Sequence, residues 1–271
     1  MNGAIIGLHQ WFDTPPGRHL LAWVQARHDE LVADLFGFHA LQLGLPWLDG
    51  LRSNRMPHRW VALGEAEGQS FLSGVEQVPA PGLLAEPVAL PFAEASIDLV
   101  LMPHTLELSH DPHAALREVQ RVLVPEGRVV ITGLNPWSLW GLRQRRARLY
   151  QSLGAGGQLY LPEAGEFISP GRLRDWLQLL DFELESVSYG CFRPAVASAR
   201  WLEHWEWMDG LGARWWPALG AAYITVAVKR VHGMRLLEPA WRSTPAAVAA
   251  PAQVAQRRAR PPTTDFSGES S

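Results

Sequence analysis

Two apolar runs with a helix between them constrain the fold of this chain more than any other feature. Residues 97–102 (IDLVLM) and 128–134 (RVVITGL) have the composition of strands that are buried on both faces of a parallel sheet. Between these runs, Asp111 and Pro112 are residue types that begin a helix, and apolar residues recur at helical spacing over 112–123. A strand, a helix and a second strand in this order predict an α/β fold.

Further strands and helices are predicted on both sides of this unit. Strands are expected at 39–44, at 58–65, within 82–92, at 182–190 and at 222–229, and helices at 18–37 and 173–180, with a weak helical turn at 47–55. Strands that alternate with helices over this length favour a Rossmann-like, doubly wound and mostly parallel sheet in a single domain. Together with the two central runs, the predicted sheet has seven strands.

The chain divides by composition into three parts. We predict an N-terminal extension and helix over 1–36, a Rossmann-like domain over 37–238 with a tryptophan-rich insertion at 190–221, and a disordered tail over 239–271. The tail is rich in Pro, Ala, Ser, Thr and Arg. It therefore cannot bury enough apolar surface to offset the entropy cost of ordering it.

Charge and cysteine content exclude several classes of protein. The net charge of −3 gives the whole molecule no electrostatic bias toward nucleic acid or membrane. Cys191 is the only cysteine, so neither an intrachain disulfide nor a thiolate zinc cage can form. No run of about 18 apolar residues is present, so we predict no membrane span. The N-terminus has no basic leader, and we predict a cytoplasmic protein without a signal peptide.

Polar and titratable residues follow directly after the strand at 97–102. They are His104, Thr105, Glu107, His110 and Asp111. Doubly wound sheets bind ligands at the carboxyl ends of their strands, so this cluster is predicted to be a site. Its histidines do not share one helical face, and no outside motif completes a ligand set. We therefore predict no metal.

The stretch around this cluster resembles a known family. ALPFAEASIDLVLMPHTLELSHDPHAALREVQRVLVPEGRVVITG is similar to the class I S-adenosylmethionine-dependent methyltransferases of type 11, which share its LPF element, its H-x-L-E segment, its A-L-x-E-x-x-R-V-L helix and its P-x-G turn, in this order. GFHALQLG and GLNPWSLWGLR are similar to a bacterial subgroup with a degenerate glycine loop. The resemblance implies the seven-stranded class I methyltransferase fold, S-adenosyl-L-methionine as cofactor, and methyl transfer.

The cofactor loop of this family departs from its pattern here. An acid and three alternating glycines usually follow the first strand, and the matching stretch is 42–48. Only Gly44 remains of the glycines, Gln42 replaces the acid, and Pro46 and Leu48 stand at the other glycine positions. Two interpretations stay open. The loop binds the cofactor in an altered form, or the chain is a pseudo-methyltransferase that binds or scaffolds and has lost the cofactor.

The resemblance also implies roles for individual residues. The residues that would bind the cofactor are Gln42, Gly44, Leu45, Glu65 at the ribose, Glu86 and Pro87 at the adenine, Met102 and Pro103. His104 could serve as a general base, or it could be a hydrogen-bonded structural histidine. The residues that would contact the substrate are Glu107, Asn135, Trp137 and Trp205.

Two segments bear on the acceptor. The tryptophans of 190–221 could line a pocket for an apolar substrate or form a partner surface, although apolar residues at helical spacing usually belong to the core. Arg143, Arg145, Arg146 and Arg148 could contact RNA or form a solvated helix face. We favour a small-molecule acceptor, with an RNA-modifying methyltransferase as an alternative.

Overall fold

A computed structural model describes residues 11–64, 82–154, 159–161 and 167–230. The helices and strands in chain order are α1 (Pro15–Ala33), β1 (His39–Leu43), β2 (His58–Leu63), β3 (Leu83–Leu84), β4 (Ile97–Pro103), α2 (Thr105–Leu108), α3 (Pro112–Val122), β5 (Leu123–Leu134), α4 (Leu139–Ser152), α5 (Pro170–Leu179), β6 (Phe182–Gly190), α6 (Ala199–His204), α7 (Trp207–Trp215) and β7 (Ala222–Lys229). A 3-10 turn, Pro217–Leu219, precedes β7. The predicted Glu65 and the predicted tail at 239–271 lie outside the described residues.

The strands form one seven-stranded sheet in the order β3-β2-β1-β4-β5-β7-β6. Strands β1 to β5 pair in parallel, and β7 lies antiparallel between β5 and β6. The chain order reverses between β1 and β4, which is where sheets of this type bind ligands. The prediction of a doubly wound, mostly parallel sheet is confirmed.

Alternate residues of the central strands enter different cores on the two faces of the sheet. On one face, Val100 and Met102 of β4 pack with the apolar residues of α3 and α5. On the other face, Leu99 and Leu101 pack with Val32 near the end of α1. This alternation explains why the strands read as continuous apolar runs, since both faces are covered.

Helix α1 takes a position that the sequence did not predict. Residues 44–57, which join β1 to β2, contain turns and no helix, so the expected helical turn at 47–55 is wrong. Parallel neighbours are normally joined by a crossover helix. Here α1, which precedes β1, covers that face of the sheet instead. It begins where Thr14 accepts a hydrogen bond from the Gly17 amide, and it ends earlier than the predicted 18–37.

The family-like residues of α3 hold the turn before β4. Asp111 caps the helix by accepting a 2.9 Å hydrogen bond from the Ala114 amide, as predicted. Glu118 accepts a hydrogen bond from the Leu90 amide, and Arg121 donates to the Leu90 carbonyl. The LPF turn is therefore fixed by two charged side chains of one helix. No helix within the described residues is long and apolar enough to cross a membrane.

Candidate functional site

Three connections meet at the carboxyl edge of the sheet. The loop after β1, the short helix α2 after β4 and the segment after β5 follow neighbouring parallel strands, so their first residues lie side by side. Thr105 donates a 2.6 Å hydrogen bond to the Leu43 carbonyl and ties α2 to β1. The His104 amide donates to the Thr132 carbonyl of β5. The predicted cluster is thus placed at the ligand edge of the fold.

His104 and Glu107 form a buried pair in this edge. Nδ1 of His104 lies 2.8 Å from one carboxylate oxygen of Glu107, and the other oxygen accepts a hydrogen bond from the Leu134 amide. A carboxylate can only accept, so Nδ1 carries the proton and Nε2 of the neutral ring is left as an acceptor. Nε2 is buried, and no described group hydrogen-bonds to it. His104 also has a left-handed backbone, with φ of 56°, a conformation that clusters at functional sites.

The segment before α1 covers this pair. The Phe12 ring lies 6.1 Å from the His104 ring, measured between centroids. The neighbouring Trp11 donates a hydrogen bond from its indole nitrogen to the Tyr160 carbonyl, 2.7 Å away. Phe12 therefore belongs to an apolar cover over the histidine, which the sequence did not predict.

His28 of α1 adds a second buried histidine. Its Nε2 lies 2.9 Å from the Thr132 hydroxyl, and its Nδ1 is buried without a hydrogen-bond partner among the described groups. Burial, with a smaller contribution from the nearby His104, lowers the pKa of His28 to about 4. Sequence reasoning missed this residue, although a signal was present. Leu20, Val24 and His28 recur every four residues, which places the histidine on the buried face of α1.

The loop after β1 is organised by Gln42. Its side chain is fully buried, and its amide nitrogen lies 3.2, 3.2 and 2.7 Å from the carbonyls of Gly44, Leu45 and Leu48. Its amide oxygen accepts a hydrogen bond from Gly50. An acid at this position could not donate to these carbonyls, so the glutamine matches the shape of this loop. The predicted contact between Gln42 and a cofactor stays a prediction.

The backbone of this loop turns sharply directly after the strand. Gly44 and Leu45 have φ of 74° and 49°, so two consecutive residues are left-handed. Glycine adopts this conformation without strain, whereas leucine does not. Leu45 is nevertheless 1% exposed and packs into the apolar cluster that contains Trp11 and Phe12. The loop after β1 is therefore covered by hydrocarbon.

The ends of β2 and β3 bring Gly64 and Glu86 together. A Cβ atom on Gly64 would lie 3.0 Å from a carboxylate oxygen of Glu86. Glu86 is exposed and the adjoining Pro87 is half-buried. These are the strands where the resemblance implies ribose and adenine contacts. Glu65, the predicted ribose ligand, is the next residue after Gly64 but lies outside the described part.

The other predicted residues divide into buried and exposed groups. Met102 and Pro103 are buried at the end of β4. Asn135 donates to the carbonyls of Ala218 and Gly220, and its side-chain oxygen accepts from the Trp137 amide. Its side chain thereby joins the end of β5 to the turn before β7.

The two predicted tryptophans lie apart from the buried pair. Trp137 is 66% exposed, and the Arg145 guanidinium stacks 4.6 Å above its ring. Trp205 is half-buried between α6 and α7, with its ring 5.5 Å from that of Trp207. Among the described residues, no group of three or more His, Cys, Asp or Glu side chains could hold a metal ion.

These residues can be compared with the needs of the implied cofactor. The Glu86 carboxylate lies in the space into which a Cβ atom on Gly64 would project. In the loop after β1, Leu45 and Leu48 are buried and the Gln42 amide is fully engaged. The described residues thus place Gly64 and Glu86 together at the strand ends where the resemblance implies contacts with the adenosine half of S-adenosylmethionine. They do not form the family's glycine cradle for its methionine half.

Comparisons with known proteins agree with the resemblance. The sequence profile of a methyltransferase domain matches residues 70–131. Over a longer stretch, the chain is 31% identical across 226 residues to the uncharacterized protein YafS of Escherichia coli strain K12, a match that covers 83% of this chain and 82% of that protein.

Solved structures share the architecture at low sequence identity. One is a possible histamine N-methyltransferase from Thermotoga maritima, with a TM-score of 0.54 and 17% identity over 82% of this chain and 94% of that one. Another was solved in complex with the Haloferax volcanii Trm112 methyltransferase activator, with a TM-score of 0.54 and 16% identity over 85% of this chain and 99% of that one. At these identities the likeness establishes the fold alone.

Proposed function

Since the chain belongs to the class I S-adenosylmethionine-dependent methyltransferase family, we propose that it methylates an O–H or N–H group of a small acceptor, with His104 as general base. S-adenosylmethionine, when bound, supplies an electrophilic methyl group on a sulfonium centre. The protein's own contribution is to position the acceptor and to take up its proton.

The observation that supports this proposal is the unpartnered Nε2 of His104. A buried polar atom without a hydrogen bond costs about 1–3 kcal/mol, so its retention calls for an explanation. An acceptor hydroxyl or amine that donates to Nε2 would supply the missing bond. As the acceptor is methylated, its proton would pass to Nε2, and the adjacent Glu107 carboxylate would stabilise the imidazolium.

Glu107 acts as a positioning residue in this proposal. Both of its carboxylate oxygens accept hydrogen bonds, one from His104 and one from the Leu134 amide. The earlier expectation that Glu107 contacts the substrate is replaced by a role in fixing the tautomer and orientation of His104.

The acceptor would enter an apolar environment. Phe12 covers His104, and Leu134 and Trp140 belong to the same buried cluster as Phe12. A charged or strongly hydrated acceptor would lose its hydration there without compensation. We therefore favour a small acceptor with an apolar body and one hydroxyl or amine. Gly64 and Glu86 would hold the adenosine end of the cofactor.

A second candidate function rests on the loop after β1. Its carbonyls at Gly44, Leu45 and Leu48 are bonded to Gln42, and its leucines are buried. This closed loop favours a cofactor-free member of the family that serves as a binding or scaffold protein. Binding of S-adenosylmethionine by the full chain would distinguish the methyltransferase from the cofactor-free protein.

Two measurements test the proposal. The first is a thermal melt of the full chain with S-adenosylmethionine or S-adenosylhomocysteine. Ligand at 100 times its Kd would stabilise the fold by about 2.7 kcal/mol, a shift that a melt detects. No shift with either ligand at millimolar concentration would exclude the enzyme and leave the cofactor-free alternative.

The second measurement follows transfer of labelled methyl groups from S-adenosylmethionine to small molecules of a cell extract. The parent is expected to label a product, and His104→Gln is expected to lose about 10²-fold or more of the rate while retaining cofactor binding. His110→Gln is the matched control, because His110 is exposed at the same edge. Equal rates for His104→Gln and the parent would contradict the assignment of the base.

A further inference from the structure

Helix α4 has an unusual outer face. Its inner face is buried through Trp140, Gln144 and Ala147. Its outer face nevertheless exposes large apolar side chains at helical spacing, and together with Leu153 just beyond the helix we name them the α4 stripe. The members of the α4 stripe are Leu139, Leu142, Leu149, Tyr150 and Leu153.

The spacing of the α4 stripe shows that it is one surface. Leu142, Leu149 and Leu153 follow each other at seven and four residues, which places them on one line along the helix. Leu142 is 63% exposed and Leu153 is 70% exposed. Single exposed leucines are ordinary, but a contiguous line of them on a helix that also has a buried face indicates an interaction surface.

Arginines are interleaved with this stripe. Arg145, Arg146 and Arg148 are exposed, and none of them forms a salt bridge with a carboxylate of the described residues. Residues 135–161 contain four arginines and no Asp or Glu, in a protein whose net charge is −3. The basic charge is therefore local to α4 and its flanks.

Aromatic residues continue the surface past the start of the helix. Trp137 is exposed and stacks under Arg145. Asn135 binds the carbonyls of Ala218 and Gly220, which follow the exposed Trp216 in the chain. Helices α6 and α7 also carry acidic residues, so the charge argument applies to α4 alone.

From these features we propose that the α4 stripe docks on the surface of an anionic lipid bilayer. Leucines would enter the boundary between headgroups and acyl chains, tryptophan suits the interface, and the arginines would reach the anionic headgroups. Each basic residue near such a surface strengthens binding about fivefold. The helix would lie in the plane of the interface, without crossing the membrane.

Two other occupants fit the stripe less well. RNA would use Arg145, Arg146 and Arg148, but it offers nothing to the line of leucines. A second copy of the chain packed symmetrically on the stripe would bury the leucines, but it would also bring the arginines of both copies together, which is unfavourable. Of these three occupants, an anionic bilayer is the one that satisfies both residue types.

The proposal is tested by co-flotation of the full-length protein with lipid vesicles. Vesicles of phosphatidylcholine alone are compared with vesicles containing about one third phosphatidylglycerol, at low and high salt. We expect binding to the anionic vesicles and weaker binding at high salt, since salt screens charges beyond about 10 Å at 0.1 M.

Variants separate the stripe from the rest of the surface. The double substitution Leu142→Asp with Leu149→Asp is expected to lower vesicle binding tenfold or more, because burial of each leucine is lost. Arg145→Ala with Arg146→Ala is expected to lower it only on anionic vesicles. Leu179→Asp is the control, because Leu179 is 82% exposed on α5 and lies outside the stripe. Melts of the free proteins should coincide.

Several outcomes would overturn the proposal. They are failure of the parent to float with anionic vesicles, equal loss of binding for Leu179→Asp and the stripe variant, or undiminished binding by the stripe variant. Salt-sensitive binding of RNA without vesicle binding would assign the arginines to nucleic acid. Dissociation of an oligomer by the stripe variant without vesicle binding would assign the leucines to self-association.

Discussion

The carboxylate of Glu107 accepts a 2.8 Å hydrogen bond from Nδ1 of His104. Glu107 lies three residues after His104, in the short helix α2 that follows β4. The same carboxylate accepts the amide of Leu134 from β5. The histidine is thus fixed against two strands of the sheet, and its Nε2 is left to act on something else.

Glu107→Gln tests this orientation. An amide can present either an acceptor or a donor to Nδ1, so the preference for the Nδ1–H tautomer should be lost. We expect imidazole nitrogen NMR to show one tautomer in the parent and a mixture in the variant, with methyl transfer reduced about 10²-fold. Glu94→Gln, at an exposed position, is the control. A single unchanged tautomer in Glu107→Gln would show that the backbone alone orients the ring.

Gln42→Glu tests the organisation of the loop after β1. A carboxylate cannot donate to the carbonyls of Gly44, Leu45 and Leu48, and it would be buried beside them. We expect a loss of about 3 kcal/mol or more in the free energy of unfolding, measured by urea titration. Gln178→Glu on the exposed face of α5 should have little effect. If Gln42→Glu instead kept its stability and bound S-adenosylmethionine more tightly, the side chain would contact the cofactor ammonium.

The buried imidazole of His28 is expected to make the free energy of unfolding depend on pH. Burial lowers its pKa in the folded protein from 6.5 to about 4, so the unfolded chain takes up this proton first as the pH falls. The free energy of unfolding should therefore decrease between pH 6.5 and about 4, by about 3 kcal/mol from this residue. The free energy of unfolding is measured by urea titration across this pH range for the parent and for His28→Gln. Its change with pH should be smaller in the variant. Equal slopes for the parent and His28→Gln would contradict the prediction.

Gly64→Ala tests the adenosine end of the site. The new Cβ would lie 3.0 Å from the Glu86 carboxylate and displace it, while the fold should be retained because that carboxylate is the flexible end of an exposed side chain. We expect S-adenosylmethionine to bind about tenfold more weakly, measured by calorimetry. The effect should vanish in a Glu86→Gln background, since both changes remove the same contact. Gly171→Ala is the control, because a Cβ there meets nothing within 4 Å. Additive effects of the two substitutions on the affinity for S-adenosylmethionine would show that Gly64 and Glu86 do not act through the same contact.

The central β-α-β unit followed from local chemistry. The Asp111 cap and the apolar face of α3 act within a few residues, so sequence spacing was sufficient to predict them. β1, β2 and β4 begin at the predicted residues and end within two residues of their predicted ends. A weak helical turn was expected at 47–55, but α1 packs on that face of the sheet, and its contacts with the sheet are distant in sequence.

The location of the candidate site in the fold was predicted from the sequence, but most of its side-chain contacts were not. The cluster after β4 was expected at the ligand edge because position in a parallel sheet follows from strand order. The contact of His28 with Thr132 joins residues 104 positions apart, and the cover by Phe12 arises from a segment outside the predicted domain. Gln42 was interpreted only as the replacement of an acid at a cofactor-binding position, since its three carbonyl partners become visible only when the loop is folded.

The position of α1 has a practical consequence for where this protein can be divided. The helix covers a face of the sheet formed by Ala40, Leu99, Leu101 and Val130, and the connection between β1 and β2 contains no helix that could replace it. A chain that began at residue 37 would present that face to water and would be prone to aggregate. The smallest independently folding unit therefore begins before α1, and the N-terminal helix is an integral layer of the domain.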